Sequence, residues 1–235
     1  MKKIIYFSMF FLAACSTQSP NTKNLDRPED EKISHLESTM DKVQQALLNK
    51  NQLKAIELLE PEISRCEKQY PNQKSFYRIA RSTKESLIYL LGAAKNESKI
   101  ELVQDNCAEA NYYMAYTYSE SGDFSKAKKY LIKALAWSPL NATYTAELAY
   151  IYQKEKNMNV ALELFKKSEI NAENYSPDIL KVEELTRAKR GIGYILIEKG
   201  ELDKAREKYL ECLKLNANDA SALNELEYIG KLEKQ

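Results

Sequence analysis

Residues 108–141, AEANYYMAYTYSESGDFSKAKKYLIKALAWSPLN, decide the fold, because the same residue types return in two later stretches. These are 142–175 (ATYTAELAYIYQKEKNMNVALELFKKSEINAENY) and 186–219 (TRAKRGIGYILIEKGELDKAREKYLECLKLNAND). On a common frame of 34 residues, small side chains recur at three places. The eighth position holds Ala115, Ala149 and Gly193, the twentieth Ala127, Ala161 and Ala205, and the twenty-seventh Ala134, Ser168 and Cys212. Bulky residues recur at the eleventh position (Tyr118, Tyr152, Leu196) and the twenty-fourth (Leu131, Phe165, Tyr209). Gly122 and Gly200 separate the two halves of their copies, with Lys156 in the middle one, and Pro139 closes the first. A fixed period of this length marks stacked helical hairpins. Small residues let the two helices of a hairpin approach closely, and the bulky ones fill the space between hairpins.

This pattern resembles the tetratricopeptide repeat, and the resemblance covers residues 108–235. It implies an all-α, right-handed helical solenoid with a C-terminal capping helix. By repeat position Ala161 lies at the tightest helix contact, whereas Ala142, at a helix start, is expected to tolerate larger side chains. There are departures: Glu173 and Ala217 replace the closing proline, and ten residues separate the second and third copies. Within that insertion Ser176 offers an N-cap and Pro177 a first helical residue. The third copy should therefore begin near Pro177, run to about Lys199 and project several turns beyond its neighbours. After Asp219, the spacing of Leu223, Leu226, Ile229 and Leu232 predicts the amphipathic helix that repeat arrays need to cover their last apolar face.

Upstream, residues 36–69 fit the same frame as a degenerate repeat, with Val43, Ala46, Ala55 and Leu59 in place but Glu62 at a small position. Pro61 is expected to kink or split its second helix. Phe76–Leu91 reads as one long helix, followed by a short segment around Ile100–Val103. Residues 31–106 are thus expected to be an N-terminal helical cap.

The start of the chain carries a different signal. In residues 1–14, Lys2 and Lys3 precede an apolar run from Ile4 to Leu12, the pattern of a signal peptide. Leu12-Ala13-Ala14-Cys15 resembles the bacterial lipobox. That resemblance implies cleavage before Cys15, acylation of its thiol and amino group, and stable membrane attachment through more than one chain. Ser16 in place of Asp implies an outer-membrane anchor facing the periplasm. Residues 15–30 are polar and read as a tether with a reach of about 20 Å.

Composition narrows the function. Six glycines and six prolines in 235 residues favour helices. A net charge of +1, with no basic cluster, gives no footprint for nucleic acid. His35 is the single histidine, and no metal-ligand spacing, phosphate-binding glycine loop or nucleophile set accompanies it. Catalysis, a metal and a cofactor are not expected. Cys212 falls at a packing position, while Cys66 and Cys107 are candidates to pair in an oxidising compartment, their separation being open.

In tetratricopeptide arrays the second, fifth, ninth and twelfth positions line a concave groove. The ninth holds Tyr116, Tyr150 and Tyr194, the fifth Tyr112, Ala146 and Arg190, and the second Glu109, Thr143 and Arg187. The resemblance thus implies a peptide-binding groove of Tyr112, Tyr116, Tyr150, Arg187, Arg190 and Tyr194, an aromatic floor with a basic end for apolar groups and one carboxylate. Tyr113, Tyr118, Tyr130 and Tyr152 are expected to pack instead. Tyrosine at the ninth position displaces the Lys/Asn clamp of members that bind acidic C-terminal tails. The implied function is a lipid-anchored scaffold for a protein or peptide partner in the periplasm. Related lipoproteins assist secretin assembly, outer-membrane protein assembly or the docking of peptidoglycan hydrolases, and the residues select none of these. The alternative is a self-associating structural lipoprotein whose long third-copy helix pairs between protomers, so the oligomeric state stays open.

Overall fold

The computed structural model describes residues 39–71 and 76–234; the leader, Cys15, the tether and His35 lie outside the described residues. Residues 39–48 form helix α1. Helix α2, Gln52–Gln69, starts where the Asn51 side chain accepts the Lys54 N–H, and runs unbroken through Pro61. The expected split does not occur. Proline removes one backbone donor, and the buried face of Ala55, Leu59, Ile63 and Cys66 continues on both sides of it.

The stretch after α2 departs further from expectation. Instead of one helix over Phe76–Leu91, Tyr77–Arg78 (β1) pairs in parallel with Glu101–Leu102 (β2), and helix α3 spans only Thr83–Lys95. Ser82 sets the boundary, because its hydroxyl accepts the Glu85 N–H and so starts a helix at that point. The extended residues before it are clamped to the array. The Ile79 N–H donates to the Trp137 carbonyl at 2.9 Å, and the Ser138 hydroxyl donates to the Ile79 carbonyl at 2.7 Å. This two-stranded bridge is the one strand pairing among the described residues; the fold is otherwise helical.

The array follows as α4 (Cys107–Glu120), α5 (Phe124–Trp137), α6 (Ala142–Lys154), α7 (Met158–Tyr175), α8 (Asp178–Glu198), α9 (Leu202–Leu215) and α10 (Ala220–Leu232). Asp123, Asn141, Asn157 and Asp219 each cap a helix by accepting a backbone N–H three residues on. The frame's small positions are closed contacts: Ala127, Ala161, Ala205, Ala134, Ser168 and Cys212 are fully buried. At Gly193 a Cβ would lie 2.8 Å from the Tyr209 ring, and at Gly191 only 2.4 Å from Phe165, so both glycines admit a ring where a side chain would stand. Gly122, Lys156 and Gly200 all turn through the left-handed region, with φ of 78°, 63° and 75°.

Three local expectations are corrected. Ala142 is fully buried against Ala172 and Leu185, so it has no more room than Ala161. Ser176 does not cap α8; its hydroxyl bonds the Glu184 carboxylate, and Pro177 takes the cap position without a side-chain bond. The extra turns of α8 are covered on one side only, because α7 is lengthened too: Lys181 pairs with Glu173 at 2.8 Å and Leu185 is buried, while Ile179, Leu180 and Val182 stay exposed. Helix α10 closes the far end through Ala222 and Ile229, while Leu223 stays about half exposed. No described helix is long and apolar enough to cross a membrane.

Candidate functional site

The first helices of successive hairpins, α4, α6, α8 and α10, are joined by side-chain pairs along one side. Tyr112 of α4 stacks on Tyr144 of α6, with centroids 4.9 Å apart and planes at 24°. Arg187 of α8 pairs with Glu147 of α6, and Arg190 of α8 pairs with Asp219 at the start of α10. Both arginines of the expected basic end are therefore bound to carboxylates of the chain itself. Asp219 is doubly committed, since it also caps α10.

Between these pairs the surface opens into two pockets. The first, about 310 Å³, lies between α1 and α4 and is lined by Gln44, Leu47, Leu48, Tyr112, Tyr113 and Tyr116. The Gln44 amide donates to the Tyr113 hydroxyl at 2.5 Å, so Tyr113, expected to pack, fronts this pocket instead. The second, about 250 Å³, lies among α6, α8 and α10, with Tyr150, Arg187, Arg190, Tyr194 and Glu225 around it. Tyr116 and Tyr150 keep 37% and 36% of their surface exposed, enough to meet a ligand. The tyrosine row is thus divided between two pockets. Tyr118 and Tyr130, by contrast, stack on each other at 5.7 Å, as expected of packing residues.

The field along this side is acidic. Burial, with the Glu120 and Glu147 carboxylates nearby, raises the Tyr116 hydroxyl above its ordinary pKa. Burial, with Glu198 and Glu225, does the same for Tyr194. Tyr113 is pushed up to about 12 by burial and by Glu109. Burial also raises the carboxyl of Glu109 itself, and Asp41 adds to the effect. Glu109, Glu120, Glu198 and Glu225 make no ion pair among the described residues, and Lys154 sits 5.0 Å over the Tyr150 ring.

A second cluster joins the N-terminal helices to the array. Cys66 of α2 and Cys107 of α4 form a buried disulfide with Cα atoms 5.8 Å apart. Beside it the Arg65 guanidinium holds Asp105 at 2.6 Å, and the Tyr70 hydroxyl donates to the same carboxylate at 2.9 Å. The gathered Cys66, Asp105 and Cys107 do not suit a metal, since the two sulfurs are bonded to each other and the carboxylate is already held. Cys212 is buried, and burial pushes its thiol up to about 11.

The tetratricopeptide repeat profile matches residues 108–139 and 191–219. The chain carries tetratricopeptide repeats over these stretches. Its fold is similar to that of Pseudomonas aeruginosa pilF, at 16% identity over 87% of this chain and 71% of that one, with a TM-score of 0.60. It is likewise similar to TPR-like repeats of a Podospora anserina kinesin light chain, at 16% identity over 86% and 88%, with a TM-score of 0.58. No curated protein matches the chain. Such repeats are interaction modules, and a role in protein–protein binding follows from them.

Repeat position also points to groove residues that the sequence reading passed over. In the degenerate 36–69 frame, Gln44 and Leu47 occupy the ninth and twelfth positions, and both line the first pocket. Ser221, second in the frame of the capping helix, lines the other. Tyr144 carried no such signal, because the third position is not a groove position.

Proposed function

We propose that this tetratricopeptide protein is a lipid-anchored scaffold of the bacterial envelope that holds a peptide segment of a partner in its tyrosine-lined groove. The observation that carries the reading is the pair of pockets, each fronted by tyrosines that remain open to solvent. Tyrosine offers apolar area and a hydroxyl at little entropic cost, which suits recognition of a short segment. Since Arg187 and Arg190 are already paired, the groove does not favour a carboxylate. Glu109 and Glu120, neither in an ion pair among the described residues, favour a segment with an apolar residue for the first pocket and a lysine or arginine beside it.

The lipobox at Cys15 supports the anchor, and the Cys66–Cys107 disulfide supports an oxidising compartment outside the cytosol. Acylation of Cys15 is tested by mass spectrometry of the membrane fraction, and an unmodified thiol there refutes it. The groove is tested by a photo-reactive residue at Tyr150 in the native cell, with Leu53 on α2, exposed and outside both pockets, as control. A crosslinked partner at Tyr150 alone, lost in Tyr116→Ala with thermal stability unchanged, supports the groove. Equal crosslinks at both positions, or full capture by Tyr116→Ala, Tyr150→Ala and Tyr194→Ala alike, rejects it. The self-associating alternative draws on Ile179, Leu180 and Val182, exposed on the extra turns of α8, and a monomer of the delipidated domain in gel filtration at micromolar concentration removes it.

A further inference from the structure

The groove leaves unused an apolar surface on α3. That helix is fixed to the array by a narrow side carrying Glu85, Tyr89 and Ala93, all buried. The Arg81 guanidinium grips both Glu85, at 2.7 Å, and Glu184 of α8, at 2.5 Å. The Ser82 hydroxyl donates to the Tyr175 carbonyl, and the Tyr89 hydroxyl accepts the Leu140 N–H. Contacts at both ends of that side set how the helix is rotated. Its other side is aliphatic and open: Leu87 is 55% exposed, Ile88 38%, Leu90 46% and Leu91 56%. Lys84, Leu87, Leu91 and Lys95 follow one another at spacings of three, four and four residues, so they form one stripe facing away from the core. Lys84 and Lys95 are the only exposed charged residues on this helix, since Glu85 is buried, and neither makes an ion pair among the described residues.

We propose that this stripe rests on the lipid bilayer, with the leucines at the acyl boundary and the two lysines reaching anionic headgroups. The proposal rests on the anchor reading. The polar tether of residues 15–30 has a reach of about 20 Å, which keeps the array close to the lipid. A helix with leucines on its free side and lysines at both ends of the stripe is the composition of an interfacial helix. Two other occupants fit less well. A protein partner is met mostly through tryptophan, tyrosine and arginine, which the stripe lacks. In a second copy of this chain, parallel or antiparallel pairing of α3 with itself sets lysine against lysine.

The test uses the acylated full chain in vesicles of phosphatidylcholine and phosphatidylglycerol, with and without brominated phosphatidylcholine. Leu91→Trp places a reporter on the stripe, and Leu223→Trp, in the capping helix at the far end of the array, is the control; the native Trp137 is buried and gives a constant background. The expected result is at least twofold quenching of the added Leu91→Trp emission by brominated lipid, weakened without phosphatidylglycerol, and none for Leu223→Trp. Equal emission from the two variants in vesicles that float with bound protein overturns the stripe while the anchor stands. Protein that does not float overturns the anchor and this proposal with it. A dimer in detergent that Leu87→Ser/Leu91→Ser converts to monomer assigns the stripe to a second copy and overturns it as well.

Discussion

Reducing the Cys66–Cys107 bond should loosen the N-terminal end of the array and leave the C-terminal end intact. The bond spans 41 residues of sequence, and closing a loop of that length in the unfolded chain is worth about 4 kcal/mol by chain entropy. The loss should not spread evenly. In a stacked array each hairpin touches only its neighbours, so stability is a sum of local terms. Without the bond α2 remains joined to α4 by the cluster of Leu59, Ile63, Ala110 and Met114 and by the Arg65–Asp105 pair. Helices α8 to α10 bury their own core of Ile192, Ile195, Tyr209 and Ile229, which the disulfide does not touch. Native-state hydrogen exchange, with and without reductant, reads both halves at once. Amides of α2 should lose about a hundred- to thousandfold in protection, a factor of ten for each 1.4 kcal/mol, whereas those of α9 should change by less than about threefold. Peptide mapping after alkylation must first show that Cys66 and Cys107 are labelled only after reduction. Unchanged α2 protection in fully reduced protein, or an equal loss in α2 and α9, would refute the argument.

Other outcomes follow from single contacts. Gly191→Ala should cost about 1–2 kcal/mol, because its Cβ falls 2.4 Å from the buried Phe165 ring and the overpacking exceeds the helix-propensity gain. Gly92→Ala meets nothing within 4 Å and should instead gain about 0.5–1 kcal/mol, so urea midpoints moving in the same direction for both would sink the reasoning. Ala161→Leu should cost about 1–3 kcal/mol, and an unchanged denaturation midpoint would show the repeat register to be wrong. Acid should unfold the protein partly through Asp105 and Glu184. Burial raises both carboxyls, but Arg65 with Tyr70, and Arg81 with Ser176 and Thr143, more than offset it and hold both below the ordinary value. Depressed carboxylates contribute stability above their unfolded pKa, about 4, and lose it as pH falls through the folded values. Arg81→Gln should therefore move the acid midpoint, followed by circular dichroism from pH 7 to 2, to higher pH, and an unmoved midpoint counts against the Glu184 role.

The hairpins of the array were legible because their small residues answer to one hard constraint, the distance between two helix axes. Ala127, Ala161 and Ala205 are fully buried where the frame puts them. The stretch from Phe76 to Val103 was not legible, because its aliphatic run SLIYLLGAA looks the same whether a helix begins at Phe76 or at Thr83. The boundary belongs to one hydroxyl, that of Ser82, and to Ile79 finding its partners 58 and 59 residues later, at Trp137 and Ser138. No local pattern carries such distant bonds. Ser176 misled for a related reason: a good cap in sequence was taken by Glu184, a buried carboxylate with more need of a donor.

The groove shows where repeat position stops predicting ligand contact. A side chain at a groove position faces the space between neighbouring first helices, and it can spend its bonding capacity on a ligand or on the next helix. Arg187 and Arg190 are spent on Glu147 and Asp219, and Tyr112 is spent on Tyr144. Each of these pairs crosses from one first helix to the next, so each helps set the curvature of the array. Removing Arg190 would leave Asp219 with its helix cap and no cation, a structural loss wherever the ligand binds. Tyr194 packs in part against the core, and what remains open is Tyr116 and Tyr150, with glutamates nearby. Their freedom, more than their place in the repeat, makes them the part of the groove that can answer to a partner.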